Sequence, residues 1–261
     1  MPNITSRRAA AAALLIGAGL VQAPEARAGG VPTNLPIGEN LPDTHFRLTG
    51  PTDVAEFTLK ATAGSDLFVG LQTWYELRMQ ILDPNGKLLK TFDANGEEDF
   101  PVEEGVELHP LASGSYKVRV AGQPGGYVKY PYEDPTVWAY PDCRGGPATR
   151  CTIAPGKTAA ATFAGSNDDD AYVIKASAGK RYTATLHVDS PYPYSAHFNL
   201  VDGQGEVLAS QDTGLGPARR NTATLKFVLP GSGGPFYLQA RPAPNPSHNL
   251  RSRFTVSLAQ Q

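Results

Sequence analysis

Sulfur and indole are scarce in this chain, with two cysteines, two methionines and two tryptophans among 261 residues. No block of lysine and arginine occurs beyond the first residues, which argues against nucleic acid or an anionic membrane as partner. No apolar run reaches the roughly 20 residues needed to cross a bilayer. Past the first 28 residues no stretch sustains a helical period. His45, His109, His187, His197 and His248 are scattered, and none stands in the His-Glu-x-x-His or His-x-His spacing of a zinc site. A Gly-x-Ser-x-Gly nucleophile elbow and a phosphate-cradling glycine loop are also missing. The expectation is a protein that is not an enzyme.

What is present begins with an export leader. Arg7 and Arg8 form a basic start, Ala9 to Val21 is apolar, and Ala26-Arg27-Ala28 offers a small-x-small cleavage pattern. Residues 1–28 read as a signal peptide, of twin-arginine or general type, and place the protein in the periplasm or outside the cell. Its removal leaves 233 residues, enough for one large or two ordinary domains. The leader holds three arginines against Glu25, so the chain's net charge of −2 becomes about −4. The two cysteines lie in Cys143-Arg144-Gly145-Gly146-Pro147-Ala148-Thr149-Arg150-Cys151. In an oxidising compartment this predicts a disulfide between Cys143 and Cys151. A redox or metal pair would need closer spacing or histidine neighbours.

Three blocks recur in one order. Asp53 to Gly64 is echoed by Asp168 to Gly179, Ile81 to Leu89 by Leu200 to Leu208, and Gly114 to Val120 by Gly234 to Ala240. The lags are near 115, 119 and 120 residues, which marks a duplication. Within the blocks apolar residues alternate with polar ones, as in Phe57/Leu59, Leu77/Met79/Ile81, Tyr116/Val118/Val120 and Tyr182/Ala184/Leu186/Val188. That is the period of half-buried strands. Asp83-Pro84-Asn85-Gly86 and Asp202-Gly203-Gln204-Gly205 read as tight turns. The predicted fold is all-β: two tandem jelly-roll-like β-sandwiches of seven or eight strands, over 29–142 and 152–261, joined by a disulfide-closed linker at 143–151.

The Asp-rich lead-in, the aromatic-x-Ile/Leu strand, Ala-Gly, the Asp-x-x-Gly turn and the late Ser-Gly-x-Tyr strand resemble the bacterial pre-peptidase C-terminal domain. The resemblance spans about Asp43 to Tyr132 and Lys157 to Leu258. It implies secreted jelly-roll modules attached to peptidases, some of which bind calcium, collagen or other extracellular polymers.

Three segments are candidate sites. Asn167-Asp168-Asp169-Asp170 clusters hard oxygen donors, and Asp168 and Asp170 are the expected ligands should calcium bind. The alternative is a solvated turn that starts a strand. The stretch from Tyr127 to Pro141 is dense in aromatics and stiffened by proline, and Pro191-Tyr192-Pro193-Tyr194 resembles it in composition. Tyr130, Tyr132, Trp138 and Tyr140 are either a stacking platform for a ligand or the packing of an inter-domain joint. Ser113-Gly114-Ser115-Tyr116 is similar to the cleft-entering loop of periplasmic lysozyme inhibitors, but the alternation into Val118 and Val120 favours an inward Tyr116. These features together predict a secreted or periplasmic, non-catalytic protein that binds a polysaccharide or an extracellular protein. An inhibitor or accessory protein of a secreted hydrolase and a structural envelope protein are the alternatives.

Overall fold

The computed structural model describes residues 33–38, 43–96, 102–126, 132–146, 148–189, 195–214, 221–232, 234–243 and 251–261. The expected leader, Tyr130 and 191–194 lie outside the described residues. The described chain is all-β, with 18 strands in four sheets. Strands β1 (Thr33–Leu35), β2 (Thr44–Leu48), β3 (Val54–Ala61), β4 (Leu67–Thr73), β5 (Glu76–Leu82), β6 (Leu88–Asn95), β7 (Val102–Leu108), β8 (Gly114–Gly122) and β9 (Tyr132–Pro141) build the first sandwich. Strands β10 (Thr152–Ile153), β11 (Lys157–Phe163), β12 (Asp170–Ile174), β13 (Arg181–Asp189), β14 (Ala196–Val201), β15 (Val207–Asp212), β16 (Thr222–Val228), β17 (Tyr237–Pro242) and β18 (Ser252–Gln260) build the second.

The duplication is visible in the topology. The sheets of the first sandwich run β1-β3-β8-β5-β6 and β2-β9-β4-β7. Those of the second run β10-β12-β17-β14-β15 and β11-β18-β13-β16, the same orders nine strands later. Each copy thus has nine strands among the described residues, more than the seven or eight expected. The addition includes the short parallel strands β1 and β10, which pair with β3 and β12.

Each sandwich closes over its own core, because alternate residues of every central strand face the opposite sheet. Leu59, Leu71, Met79, Ile81, Tyr116 and Val118 anchor the first core. Phe163, Tyr182, Leu186, Phe198, Leu238 and Phe254 anchor the second. Tyr116 is 2% exposed and its hydroxyl donates to the Ala112 carbonyl at 2.8 Å. It is an inward strand residue, and Ser113 Oγ beside it accepts the Ala63 amide.

The two Asp-x-x-Gly turns are built alike. Asp83 Oδ1 accepts the amides of Asn85 and Lys87, and Asp202 Oδ1 accepts those of Gln204 and Glu206. Gly86 and Gly205 take φ of 83° and 89°, the left-handed region that a side chain resists. A bulge precedes each turn, at Ile81/Leu82 and at Leu200/Val201.

Candidate metal centre at the joint

The loop that leads into β12 is folded by its own polar groups. The Ala164 amide donates to Asp168 Oδ2 at 2.7 Å, and the Asp168 amide to the Gly165 carbonyl at 3.3 Å. The same loop is held against β7 of the first sandwich. Ser166 N donates to the Glu103 carbonyl at 2.8 Å, while the Asn167 amide group both donates to the Gly105 carbonyl and accepts the Gly105 N–H. Pinned on both sides, the loop turns Asp168 inward.

Asp142 arrives from the other side. It follows β9, and its amide donates to the Asp66 carbonyl in the first sandwich at 3.0 Å. The next residues pair with the start of β12, through a bridge between Arg144 and Asp170 and a 2.7 Å bond from Ala171 N to the Cys143 carbonyl. The predicted disulfide between Cys143 and Cys151 is formed, with Cα atoms 5.4 Å apart, and both residues pack against the second core. It fits an oxidising compartment.

Carboxylate oxygens of Asp142, Asp168 and Asp170 therefore converge, with one ligand atom from each lying within 4.8 Å of the others. Asp168 and Asp170 are each 2% exposed. Asp168 Oδ1 is buried without a hydrogen bond. Both Asp142 oxygens are buried without a hydrogen bond of good geometry, although the Cys143 and Arg144 amides stand near enough to favour its charge slightly. Asp170 Oδ1 accepts the Cys143 amide at 3.2 Å. Burial, then the charges of Asp170 and Asp142, push the Asp168 carboxyl well above its usual range. Burial, then Glu107 and Asp66, push Asp142 up to about 7. Such a group of oxygens, shielded from water, is suited to a hard cation.

Asp168 and Asp170 are thus brought together and buried, and they are not on a solvated turn. Asp142 was missed by sequence reasoning because it lies outside the acidic run. Its one sequence signal is its place beside Cys143, where the disulfide loop fixes the backbone.

The aromatic residues fare differently. Trp138 and Tyr140 are 2% and 5% exposed and cluster with Phe68 and Ala164. Trp138 Nε1 donates to the Ala164 carbonyl at 2.9 Å, and the Arg251 guanidinium lies 4.2 Å from the indole centre. The indole lies flat over Gly70, where a Cβ would come within 2.2 Å of the ring. The expected exposed stacking platform is therefore corrected for these two residues: one face of β9 supplies Val137 and Ala139 to the first core, and the other face packs under the second sandwich. Tyr132 starts β9, and its side chain, like Tyr130, lies outside the described residues.

Arg251 completes the joint. It pairs with both Asp43 oxygens, donates to the Tyr140 hydroxyl at 2.9 Å, and its amide donates to Glu103 Oε2 at 3.0 Å. Burial lifts Glu103 to about 7 in spite of the nearby guanidinium. No spacing in the sequence marks Asp43, Glu103 and Arg251 as partners, since each comes from a different strand or loop.

Among the described residues no helix is long and apolar enough to cross a membrane. No protein-family model matches the chain, and no curated protein matches it in sequence. Among solved structures it is similar to the PBSX exported protein XepA, at 12% identity over 83% of this chain and 85% of that one, with a TM-score of 0.26. It is also similar to the tandem CBM22-1-CBM22-2 domain of Xyn10C from Paenibacillus barcinonensis, at 10% identity over 83% and 87%, with a TM-score of 0.28. Likeness at this level says nothing of ligand or activity.

Proposed function

We propose that this chain is an exported, non-catalytic binding protein, made of tandem pre-peptidase-like sandwiches, that captures an extracellular protein in preference to a polysaccharide. The observation that carries this reading is an apolar pair repeated on the same outermost strand of each copy. Leu88 and Leu89 open β6, and Val207 and Leu208 open β15; Leu88 is 48% and Val207 55% exposed. Single exposed leucines are ordinary. A pair kept at the same place in both copies is less so: Leu88 and Val207 stand opposite Leu82 and Val201 at the bulge, yet about half of each stays open to water. The chemistry favours a polypeptide, because sugar rings are held best by flat aromatic faces while aliphatic pairs suit apolar side chains. Trp138 and Tyr140, two of the four rings expected to stack on a ligand, are committed to the joint.

The test is capture of the mature chain on immobilised extracellular-matrix proteins beside cell-wall and glycan matrices. Leu88→Asp combined with Val207→Asp should weaken protein capture at least tenfold, with the melting temperature nearly unchanged because both side chains face water. Capture by glycans alone, or capture indifferent to both substitutions, defeats the reading.

A further inference from the structure

The three converging carboxylates do not belong to one sandwich. Asp142 is tied to the first by its amide bond to the Asp66 carbonyl, whereas Asp168 and Asp170 belong to the loop and first residue of β12 in the second. Two oxygens that share a calcium ion at about 2.4 Å can lie at most about 4.8 Å apart, and the three ligand atoms lie within that limit. The group also contains an unpartnered buried side chain: Asp168 is 2% exposed, and its Oδ1 is buried and lacks a hydrogen bond. We infer that Asp142, Asp168 and Asp170 bind one calcium-type divalent cation, and that this cation clamps the two sandwiches together at their joint.

The donor chemistry selects the ion. All three side chains offer hard oxygens, no histidine belongs to the group, and the His109 imidazole is engaged with Asp66 at 2.8 Å and Glu107 at 3.2 Å. Zinc and copper prefer nitrogen and sulfur. Magnesium holds its waters and needs regular octahedral geometry, which a buried carboxylate trio fits poorly. The cation reverses the sign of the electrostatics at the joint. Three carboxylates so close repel one another and press the copies apart, while a shared divalent ion draws Asp142 toward Asp168 and Asp170. The hydrogen bonds that cross the joint beside it, Ser166 N to Glu103 and Asn167 to Gly105, should then open less often.

The experiment uses the mature full-length chain after chelation, titrated with calcium chloride by calorimetry, with magnesium chloride as control. Melting temperature and amide exchange in 103–107, 164–169 and the second core are followed in parallel. Calcium should bind one to one, raise the melting temperature and slow exchange at the joint at least tenfold, with the second core much less affected. Asp142→Asn should melt higher than the wild type without metal, because a repelling charge is gone, and should bind calcium at least tenfold more weakly. No heat and no shift at millimolar calcium would overturn the site. Calcium binding that Asp142→Asn leaves intact would put the ion on the second sandwich alone and overturn the clamp. The wild-type arm decides even if that variant does not fold: calcium that raises the melting temperature without slowing exchange at the joint also overturns it.

Discussion

The same sheet face has opposite character in the two copies. In the first sandwich the outward face of β4, β9 and β7 carries Phe68, Gly70, Trp138, Tyr140, Glu103 and Gly105. Gly70 pairs with Trp138 and with Gly105; in the second sandwich the corresponding Thr185 pairs with Ser257 and with Thr224. That second face also carries Thr183, Ala259 and Thr222, wholly or partly exposed. One fold thus uses one face in two ways. A face that meets water keeps the polar half of the alternation, and a face covered by a neighbour becomes apolar and makes room with glycine. The joint is asymmetric, with the face of the first copy docking against the β11–β12 loop of the second.

The largest expected effect separates these two faces. Trp138→Ala should cost about 3–5 kcal/mol, as large buried aromatics do, while Ser257→Ala at the matching position should stay within about 0.5 kcal/mol. Denaturant unfolding of both variants measures the pair. Equal small costs would break the comparison, since Trp138 would then not be covered.

Next in size is the disulfide between the copies. Thiol labelling of the denatured, unreduced chain should find no free cysteine. Cys143→Ser with Cys151→Ser should cost about 2–3 kcal/mol, from the loop entropy returned to the unfolded chain. Both cysteines pack on the second sandwich, so the loss should appear there before the first core melts. A first core that melts with it would show that the joint holds the two as one cooperative unit.

A third measurement uses pH. Glu103 is buried in the first copy, and the matching Thr222 of the second is exposed and carries no charge. Burial raises the Glu103 carboxyl from 4.5 to about 7. Between those values the folded chain holds a proton that the unfolded chain has released, so this group's contribution is full below pH 4.5 and fades as pH climbs through 7. In metal-free protein Asp142 and Asp168 act in the same direction. Glu103→Gln should therefore flatten part of the fall, with a gain on the order of 1 kcal/mol at pH 8 and little change near pH 4. Thermal melts across pH 4–8 at one fixed chelator concentration decide it, and an unchanged slope would mean that Arg251 keeps Glu103 charged throughout.

Much of this architecture is legible in the sequence because it is local. Turn chemistry at Asp83 and Asp202, alternation in β5 and β8, and the short spacing of Cys143 and Cys151 each follow from neighbouring residues. The joint is not local. Its one early sign is the unbroken buried run Leu67 to Leu71, which marks a strand covered on both faces, with Gly70 set where a ring must lie. That run does not say what covers it, so Trp138 and Tyr140 read equally well as a ligand platform. The carboxylate trio was half legible for the same reason: Asp168 and Asp170 stand in one acidic run, and Asp142 reaches them only through the fold.

The smallest effect tests whether the acidic site belongs to one copy. Asp53 and Asp168 head the same repeat, and both brace the loop four residues back. Asp53 Oδ2 accepts the Thr49 amide at 2.7 Å, as Asp168 Oδ2 accepts that of Ala164. The likeness ends there. Asp53 lies near the surface, where the Thr49 hydroxyl and the Gly50 amide also donate to it, and hydrogen bonds from Thr49 hold its carboxyl below the usual range. The corresponding position to Asp170 is Ala55, so no second carboxylate joins it. Asp53→Ala should thus cost about 0.5–1 kcal/mol, the size of a lost capping contact, and equally with calcium or chelator present. Asp168→Asn should instead remove most of the calcium-dependent rise in melting temperature while keeping the loop brace, because an amide oxygen still accepts the Ala164 N–H. If Asp53→Ala abolishes the calcium response and Asp168→Asn does not, the cation belongs to the first copy and the assignment of the centre to the joint is wrong.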